Sequence, residues 1–397
     1  MFNRRMGKVF GLSLLIAAVV MAGSLSLSVA TAAEPIKVGQ VSALSGQSAK
    51  SGEAIMRGLT LAIEEINAKG GVLGGRKFTL ISRDDESNPP KGQMAARELI
   101  FKEKVTAFFG GLDSPVSLAI VPVANKEKVI FMGVWAAATP ITRNGADPNY
   151  VFRVSAMDAI VDQALIQYSI KTYGTKKPGL MLINNPWGES NEKGLRAAIK
   201  DAKIELAGIE KLESRDVDVV PQLMRLKKAG ADTIILVANV RPSATVVKSL
   251  ARMKWDAPVV SHWGVSGGRF PELAGPGSQK VHFVQTYSFF GAQNQIGQRF
   301  IAAAKKKYKD INGPEDIFPP VGYANAYDAM HLLARAIEKA GSTNSDQIRI
   351  ALENLRPYQG LIKNYNPAFT AKNHDALGYR DYVMVRYVGN EIKPVGK

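Results

Sequence analysis

Hydrophobic and polar positions alternate along the chain with two periods, each typical of one kind of secondary structure. Short segments such as 36–43 and 105–109 have the length and the β-branched or aromatic content of strands. Other stretches carry apolar residues three or four positions apart, as at Ile55, Leu59 and Ile63, which is the spacing of an amphipathic helix. The order of these patterns predicts repeated strand–helix units.

The predicted units fall into two runs, roughly 36–153 and 178–285. The first comprises strand 36–43, helix 53–68, strand 78–82, helix 91–102, strand 105–109, helix 114–125 and strand 129–134. The second comprises strand 180–184, helix 189–200, strand 204–212, helix 219–229, strand 233–238, helix 243–253 and strand 258–260. Helices 298–308, 323–340 and 346–355 and strand 379–388 follow. Repeated β-α-β order with short connections predicts an α/β fold of two doubly wound parallel sheets.

The first 33 residues have the pattern of a secretory signal. A basic start up to position 8 precedes an uncharged apolar stretch at 11–23, and the tetrapeptide ATAA at 30–33 offers small residues for cleavage. The apolar stretch is shorter than the roughly 20 residues that a membrane-spanning helix needs, and an uncleaved N-terminal anchor is the alternative. We expect cleavage near Ala32-Ala33 and a mature protein in the periplasm.

The net charge suggests an anionic partner. The 51 Lys and Arg against 35 Asp and Glu give 51 − 35 = +16, and loss of the three cationic residues of the signal leaves 16 − 3 = +13. Nucleic acid, a membrane surface or an acidic ligand would each fit such a charge. The lysines, however, lie on predicted amphipathic helices, as at 227–228 and 305–307, without the interleaved aromatics of a nucleic-acid module. We expect no nucleic-acid partner.

The sequence lacks the residues and motifs on which most catalytic and metal sites depend. The chain has no cysteine, and its four histidines show no metal-ligand spacing. The phosphate loop GxxxxGK[ST] and the zinc motif HExxH are both missing from the sequence. The acidic segment 84–86 suggests a solvated loop, with a divalent cation site as the alternative. We therefore expect no enzyme activity, no cofactor and no metal.

Three loops of the first run lie where a ligand would bind. In open parallel sheets, ligands bind beyond the carboxyl ends of the strands. Strand 36–43 is followed by Ser45, strand 105–109 by Ser114, and strand 129–134 by Trp135 and small residues; the candidates in this last loop are Trp135, Ala136, Ala137, Ala138 and Thr139. Ser114 followed by Pro115 has the chemistry of a helix start, and the small residues let ligand oxygens approach the backbone.

The second run supplies candidates for an opposing wall. Trp187, Asn239 and Trp263 each follow a predicted strand, and an aromatic side chain at a strand end suits an apolar ligand. Packing between domains is the alternative for the two tryptophans, and a turn is the alternative for Asn239. Together these loops offer hydroxyls, amides and aromatic rings, but no acid–base pair.

Several short segments, in a fixed order, carry a resemblance to a known family. They are LSG at 44–46, NAKGG at 67–71, DD at 84–85 before NP at 88–89, FR at 152–153, YDA at 327–329 and AIEKAGS at 336–342. With these markers behind a signal segment, the chain resembles the periplasmic solute-binding proteins of ABC transporters, in the leucine/isoleucine/valine-binding branch of the type I fold. The resemblance covers nearly all of the mature chain.

The resemblance implies two α/β lobes joined by three crossings, near 154, 287 and 360. The N-terminal lobe would then comprise 34–153 and 288–359, and the C-terminal lobe 154–287 and 360–397. It further implies that a ligand lies in the cleft, that hinge closure buries it, and that a membrane permease recognises the closed form. We expect a monomer that binds one small molecule.

The resemblance also assigns roles to site residues. The family's carboxylate-binding serine matches Ser114, and its small residues and threonine match the loop 136–139. This loop is one residue shorter here, so either Ala138 or Thr139 takes the role of the threonine. The aromatic wall of the second lobe matches Trp187.

One position departs from the family pattern. Trp263 stands where the amino-acid binders of the family place the glutamate that pairs with the ligand's ammonium group. Because a buried ammonium without a carboxylate partner is costly, we hypothesise a ligand that has a carboxylate but lacks the amino group. Asp158 or Asp113 could serve as a substitute anion.

The sequence thus predicts the solute-binding component of a transporter for an amino acid-like or aromatic acid. A ligand-sensing receptor of the same fold, acting through a membrane signalling partner, is the alternative. A secreted enzyme on the same scaffold would need a catalytic set that the chain does not contain.

Overall fold

The computed structural model describes residues 34–396. The predicted signal segment and its cleavage site lie outside these residues. None of the helices within 34–396 combines the length and the hydrophobicity needed to cross a membrane.

The first sheet has five parallel strands in the order β2-β1-β3-β4-β5. Its strands are β1 (Ile36–Ser42), β2 (Phe78–Asp84), β3 (Ala107–Gly110), β4 (Ile130–Gly133) and β5 (Val151–Arg153). The helices that follow its strands are α1 (Ala49–Ala68), α2 (Pro89–Phe101), α3 (Ser114–Lys126) and α4 (Asp158–Tyr173). Apart from Lys37, every residue of β1 is buried, as expected for a strand with helices on both faces of its sheet.

The second sheet has seven strands in the order β14-β13-β10-β9-β8-β6-β7. Its strands are β6 (Pro178–Ile183), β7 (Gly208–Leu212), β8 (Thr233–Val237), β9 (Val259–Ser261), β10 (Val281–Gln285), β13 (Val383–Val388) and β14 (Glu391–Pro394). The strands from β6 to β10 are parallel, while β13 pairs antiparallel with both β10 and β14. A two-stranded hairpin, β11 (Tyr358–Gln359) and β12 (Asn364–Tyr365), lies outside both sheets.

Helices also cover the second sheet and the later part of the chain. They are α5 (Pro186–Asp201), α6 (Val220–Lys228), α7 (Val240–Arg252), α8 (Phe270–Ala274), α9 (Gln295–Lys307), α10 (Pro320–Ala340) and α11 (Ser345–Glu353). The expected fold class, two doubly wound parallel-sheet lobes, is confirmed. The lobe boundaries stay a prediction.

Several elements differ from the pattern-based expectation. The sequence analysis named no helix at α4, because its apolar residues do not concentrate on one face and several of its polar residues are buried. Conversely, the segment expected as one strand, 379–388, begins with a 3₁₀ turn at Tyr379–Asp381 and is a strand only from Val383. Strand β7 starts at Gly208, four residues later than expected.

Candidate ligand-binding cleft

The strand-end loops of the two sheets face each other across a closed seam. Three hydrogen bonds, each 3.1 Å long, cross it: from Ser51 Oγ to the Gly267 carbonyl, from Asn239 Nδ2 to Asp113 Oδ1, and from the Thr139 N–H to Ser190 Oγ. Two loops that were expected to oppose each other are therefore in direct contact. The structure represents a closed arrangement of the two lobes.

The space left at the seam is small. A cavity of about 20 Å³ is lined by Gln47, Ser48, Ser51, Leu112, Trp135, Asn239, Val240, Gly264 and Gly267. A single buried water needs roughly 10–15 Å³, so this cavity has room for about one water. A larger solute can enter only when the lobes move apart.

Ser114 has a different local role from the one its sequence suggests. Asp113 is the N-cap of α3 and Ser114 is the first helical residue, followed by Pro115 at the second position. The Ser114 hydroxyl does not cap the helix but accepts a hydrogen bond from the Ala138 N–H at 3.2 Å. Ser114 therefore ties the loop after β3 to the loop after β4.

The carbonyl groups of the loop after β4 accept hydrogen bonds from residues of the protein itself. Arg153 Nη1 donates to the carbonyls of Ala136 (3.4 Å) and Ala138 (2.9 Å), and the Asp158 N–H donates to the Ala137 carbonyl (2.8 Å). The N–H groups of Ala136 and Ala137 have no acceptor within residues 34–396. The carbonyl groups of this loop are thus hydrogen-bonded within the protein, and two of its backbone N–H groups can donate to another group.

Arg153 is itself held in a buried ion pair. Its guanidinium is fully buried and donates to Asp375 at 2.6 Å and to Thr142 Oγ1 at 2.9 Å. The Thr142 hydroxyl in turn donates to Asp375 at 2.9 Å. Asp375, near the C-terminus, therefore holds Arg153 in place, and Arg153 in turn holds the loop after β4.

Thr139 connects this loop to the second lobe. Its N–H donates to Ser190 Oγ on α5, and its hydroxyl accepts from the Ala159 N–H at 3.1 Å, in the first turn of α4. The threonine side chain is thereby committed to the start of α4. Of the two alternatives at this loop, Ala138 is the residue whose N–H is bound to Ser114.

Asp158 lies behind the aromatic wall of the second lobe. Its Oδ1 accepts from Trp187 Nε1 at 3.2 Å and from His262 Nε2 at 3.1 Å. Because His262 Nδ1 accepts the Trp263 N–H at 2.9 Å, the ring proton must be on Nε2, and the imidazole is neutral. All three side chains are buried, so Asp158 is already engaged by two neutral donors.

Behind Asp158 lies a second buried carboxyl. Asp162 is one helical turn further along α4 and is fully buried, with no hydrogen-bond donor to either oxygen within residues 34–396. Burial, reinforced by the charge of Asp158, raises the pKa of Asp162 well above its usual value. Burial therefore favours the neutral form of the Asp162 carboxyl.

The three candidate tryptophans occupy distinct places. Trp135 lines the cavity, and Trp187 packs its indole against Gly264, where a Cβ would lie 2.9 Å from the ring and 2.2 Å from the Ala238 carbonyl oxygen. Trp263 is buried and packs edge-on against His262, with ring centroids 5.0 Å apart. Trp263 therefore contacts His262, which packs in turn against Trp187.

Two of the other candidates are separated. Asn239 lines the cavity and binds Asp113 across the seam. Ser45 is exposed at the start of a 3₁₀ turn, and its neighbours Gln47 and Ser48 line the cavity instead. Of the eleven candidates, Trp135 and Asn239 line this cavity, and the assignment of the others to a binding site stays a prediction.

The acidic loop after β2 is not simply solvated, and this corrects the expectation for it. Asp84 Oδ1 accepts the N–H groups of Leu44 (2.9 Å) and Glu86 (2.8 Å), and Asp85 is fully buried. Within residues 34–396, no group of three or more His, Cys, Asp or Glu side chains has the arrangement of a metal site. Asp84 and Asp85 accept hydrogen bonds from backbone N–H groups of this loop, and Asp84 also accepts one from Leu44 in the loop after β1.

A larger groove lies elsewhere, on the outer face of the first sheet's helices. It has a volume of about 460 Å³ between α1, α9 and α10, and Glu65, Arg299 and Arg335 line it. It touches none of the strand-end loops, so it is not the site that the fold predicts.

Sequence reasoning missed three residues of the cleft. Arg153 was noted only as a family marker, although an arginine within the apolar run 150–154 signals a buried ion pair. His262 was read as structural, and Ser190 carried no signal, because its role depends on how α5 meets the opposite loop. The first of these could have been found from the sequence.

Comparison with known proteins identifies the fold family. The family pattern described as "Periplasmic binding protein" matches residues 35–391. A leucine-, isoleucine-, valine-, threonine- and alanine-binding protein from Pseudomonas aeruginosa is 26% identical over 341 residues, which cover 86% of this chain and 87% of that protein.

Two solved structures show the same fold. A branched-chain amino acid transporter substrate-binding protein from Streptococcus pneumoniae, in complex with isoleucine, has a TM-score of 0.76 at 23% identity, covering 90% of this chain and 98% of that chain. A solute-binding protein of an ABC transporter from Rhodopseudomonas palustris, in complex with benzoate, also has a TM-score of 0.76 at 23% identity, covering 91% and 96%. Proteins of this type bind solutes without converting them. The chain belongs to the periplasmic binding protein family.

Proposed function

We propose that this protein captures a small carboxylate-bearing solute between its lobes and delivers it to the permease of an ABC transporter. The observation that carries the proposal is the loop after β4. Its three carbonyls are engaged by Arg153 and Asp158, while the N–H groups of Ala136 and Ala137 are left as donors beside Ser114. Backbone and hydroxyl donors without a competing acceptor suit a carboxylate.

The energetics are reasonable for a transport protein. Micromolar affinity corresponds to about −8 kcal/mol. Hydrogen bonds to a charged group contribute about 1.5–3 kcal/mol each, so two or three from this loop would supply roughly half. Burial of an apolar body against Trp135 and Trp187 would supply much of the rest, at roughly 25 cal/mol per Å².

The state of the nearby acids favours a ligand without an ammonium group. Trp263 provides no carboxylate, and Asp158 Oδ1 is occupied by Trp187 and His262. Burial raises the pKa of Asp113, whose Oδ1 is occupied by Asn239. In the closed form each of these two carboxyls accepts protein donors at Oδ1 only, and its Oδ2 has no donor among the described residues. We infer that an aromatic or other simple monocarboxylate fits better than a branched-chain amino acid.

A thermal-shift screen of the mature protein tests the ligand class. The panel comprises leucine, isoleucine and valine, benzoate and 4-hydroxybenzoate, succinate, and benzamide as the neutral match of benzoate. A ligand that binds only the folded protein raises its melting temperature by mass action. We expect benzoate-type acids to raise it and benzamide not to; a response to the amino acids alone would refute the inference on the ammonium group.

Delivery to a permease needs a separate test. Uptake of the identified ligand into cells that contain the candidate permease should require this protein. Binding without any effect on uptake would favour the alternative, a ligand-sensing receptor of the same fold.

A further inference from the structure

A carboxyl group of the first lobe is buried by the second lobe at the seam. Asp113 precedes the first residue of α3 and makes no side-chain cap; its Oδ1 instead accepts a hydrogen bond of 3.1 Å from Nδ2 of Asn239, the residue that precedes α7. Its Oδ2 is buried and has no donor among the residues that the structure describes. The seam therefore gives this carboxyl one donor, Asn239, while burial raises its pKa against the lowering effects of Ser87 of its own lobe and of Asn239.

A second carboxyl on the neighbouring loop has the same arrangement. Asp85, at the end of β2, is fully buried; its Oδ1 accepts the Ser87 N–H at 2.8 Å, and its Oδ2 has no donor within 34–396. A Cβ at Gly92 would lie 2.4 Å from Val116 in the first turn of α3 and 3.5 Å from Asp85 Cβ, so Asp85 packs beside the helix start that Asp113 precedes. Burial raises the pKa of Asp85, and the charge of Asp113 adds to this effect. Two buried carboxylates that interact cannot both ionise without a large cost.

The surrounding charges do not neutralise the two carboxyls. On their own loop, Asp84 is held by backbone N–H groups, and Glu86 is paired with Lys91 of α2 at 2.6 Å. On the opposite lobe, Arg241 in the first turn of α7 is exposed and forms no ion pair within the described residues. No cation therefore faces either orphaned oxygen.

We propose that Asp113, with Asp85 beside it, is a proton-binding site at the seam, and that closing of the lobes takes up a proton. When Asn239 withdraws, water hydrates Asp113 and the carboxylate form is stable. When the lobes close, the neutral acid is the form that tolerates burial without a partner. This proposal rests on the proposed function in one respect: the two lobes must open and close. It does not depend on which ligand binds.

The direction of the pH dependence follows from the carboxyls. Burial raises the pKa of Asp85 to about 7, with smaller contributions from Asp113 and Asp84, and burial also raises the pKa of Asp113. An open, hydrated aspartate has a pKa of about 3.9. Closing is thus favoured by acid and becomes less favourable as the pH rises above about 4 towards the raised pKa of Asp113, by at most about tenfold per pH unit for one proton.

The absence of cysteine makes a direct measurement practicable. Lys126→Cys on α3 and Lys193→Cys on α5 place one spin label on each lobe, at exposed residues without ion pairs among the described residues. The distance distribution of the ligand-free mature protein is then recorded by double electron–electron resonance at pH 5.5 and pH 7.5. We expect the ratio of closed to open molecules to be at least threefold higher at pH 5.5.

Two variants separate the proton site from other effects of pH. Asp113→Asn keeps an acceptor for Asn239 but cannot ionise, so its ratio should be the same at both pH values and close to that of the unsubstituted protein at pH 5.5. Asp201→Asn removes an exposed carboxylate of the second lobe and should keep the pH dependence unchanged.

The proposal is overturned by a closed-to-open ratio that does not depend on pH, or by a pH dependence that persists in Asp113→Asn. A ratio raised by 1 mM calcium or magnesium at pH 7.5, in a manner that needs Asp113, would mean a cation latch and would equally contradict it. Because no ligand is present, failure of the carboxylate assignment would leave this result unaffected.

Discussion

Arg153 determines the chemistry of the candidate site although it does not face the cavity. It engages two carbonyls of the loop after β4 and is held by Asp375 in an ion pair with both side chains buried. A buried charge is stable only with its partner, because hydration cannot replace the missing contact. The orientation of the loop therefore depends on a residue near the C-terminus.

Substitution Arg153→Met should destabilise the protein strongly. It leaves Asp375 buried without a cation, and breaking such pairs costs about 3–5 kcal/mol. The free energy of unfolding from urea titration measures the effect. Lys280→Met breaks an exposed pair with Asp256 and should cost at most about 1 kcal/mol. Equal losses in the two variants would contradict the role assigned to Arg153.

Substitution Asp162→Asn should stabilise the protein at alkaline pH. Because the pKa of Asp162 is raised in the folded state, its contribution is complete below the unfolded value of about 3.9 and is lost as the pH rises through the folded value. Asparagine is neutral throughout and removes this loss. Urea unfolding at pH 5 and pH 8.5 should give a larger gain at pH 8.5; a variant less stable than the parent at both would disprove a neutral Asp162.

At the scale of elements, close packing of two helices fixes the first lobe. A Cβ at Gly58 of α1 would lie 2.4 Å from the Tyr323 carbonyl oxygen and 2.9 Å from Tyr323 Cα of α10. These are backbone atoms, so no side-chain rotation can relieve the overlap. The glycine permits the approach of α10, a helix with nearly all of its first turns buried.

Substitution Gly58→Ala should therefore destabilise the protein by about 1–3 kcal/mol through overpacking. In an unhindered helix the same change would stabilise by about 0.5–1 kcal/mol. Thr60→Ala on the same helix, at a partly exposed position, should change the free energy of unfolding by less than about 0.5 kcal/mol. A Gly58→Ala protein as stable as the parent would show that α1 and α10 are not in such close contact.

The elements also show where sequence reasoning succeeds and where it stops. Strand β8 was predictable because its apolar run, TIILV, is typical of a strand that is buried on both faces. Helix α4 was not, because it is surrounded by protein and mixes buried Asp158 and Asp162 with apolar residues. Pattern rules assume one apolar face and one solvated face, and α4 has neither.

For the whole molecule, the order of units predicted both sheets, because β-α-β connections allow few arrangements. The site was predicted as a set of loops but not as a set of contacts. Ser114 was expected to cap α3, and Asp85 was expected in solvent; both depend on which neighbour lies close in space. Contacts such as Thr139 to Ser190 join residues that only the closed lobes bring together.

The predicted signal segment should be absent from the mature protein. Intact-mass measurement of the protein recovered from the periplasmic fraction should correspond to a chain that begins near Glu34. Loss of the three cationic residues in that segment would leave the net charge at +13. A full-length chain retained in the membrane fraction would instead indicate an uncleaved anchor.

The most direct test of the central claim is calorimetric titration of the mature protein with the strongest ligand from the screen. We expect one monocarboxylate per chain, with an affinity reduced at least tenfold in Ser114→Ala and unchanged in Ser214→Ala, which alters an exposed serine. Both variants should unfold at nearly the same temperature as the parent. Tight binding of a neutral solute, or an affinity unaffected by Ser114→Ala, would contradict carboxylate recognition at this cleft.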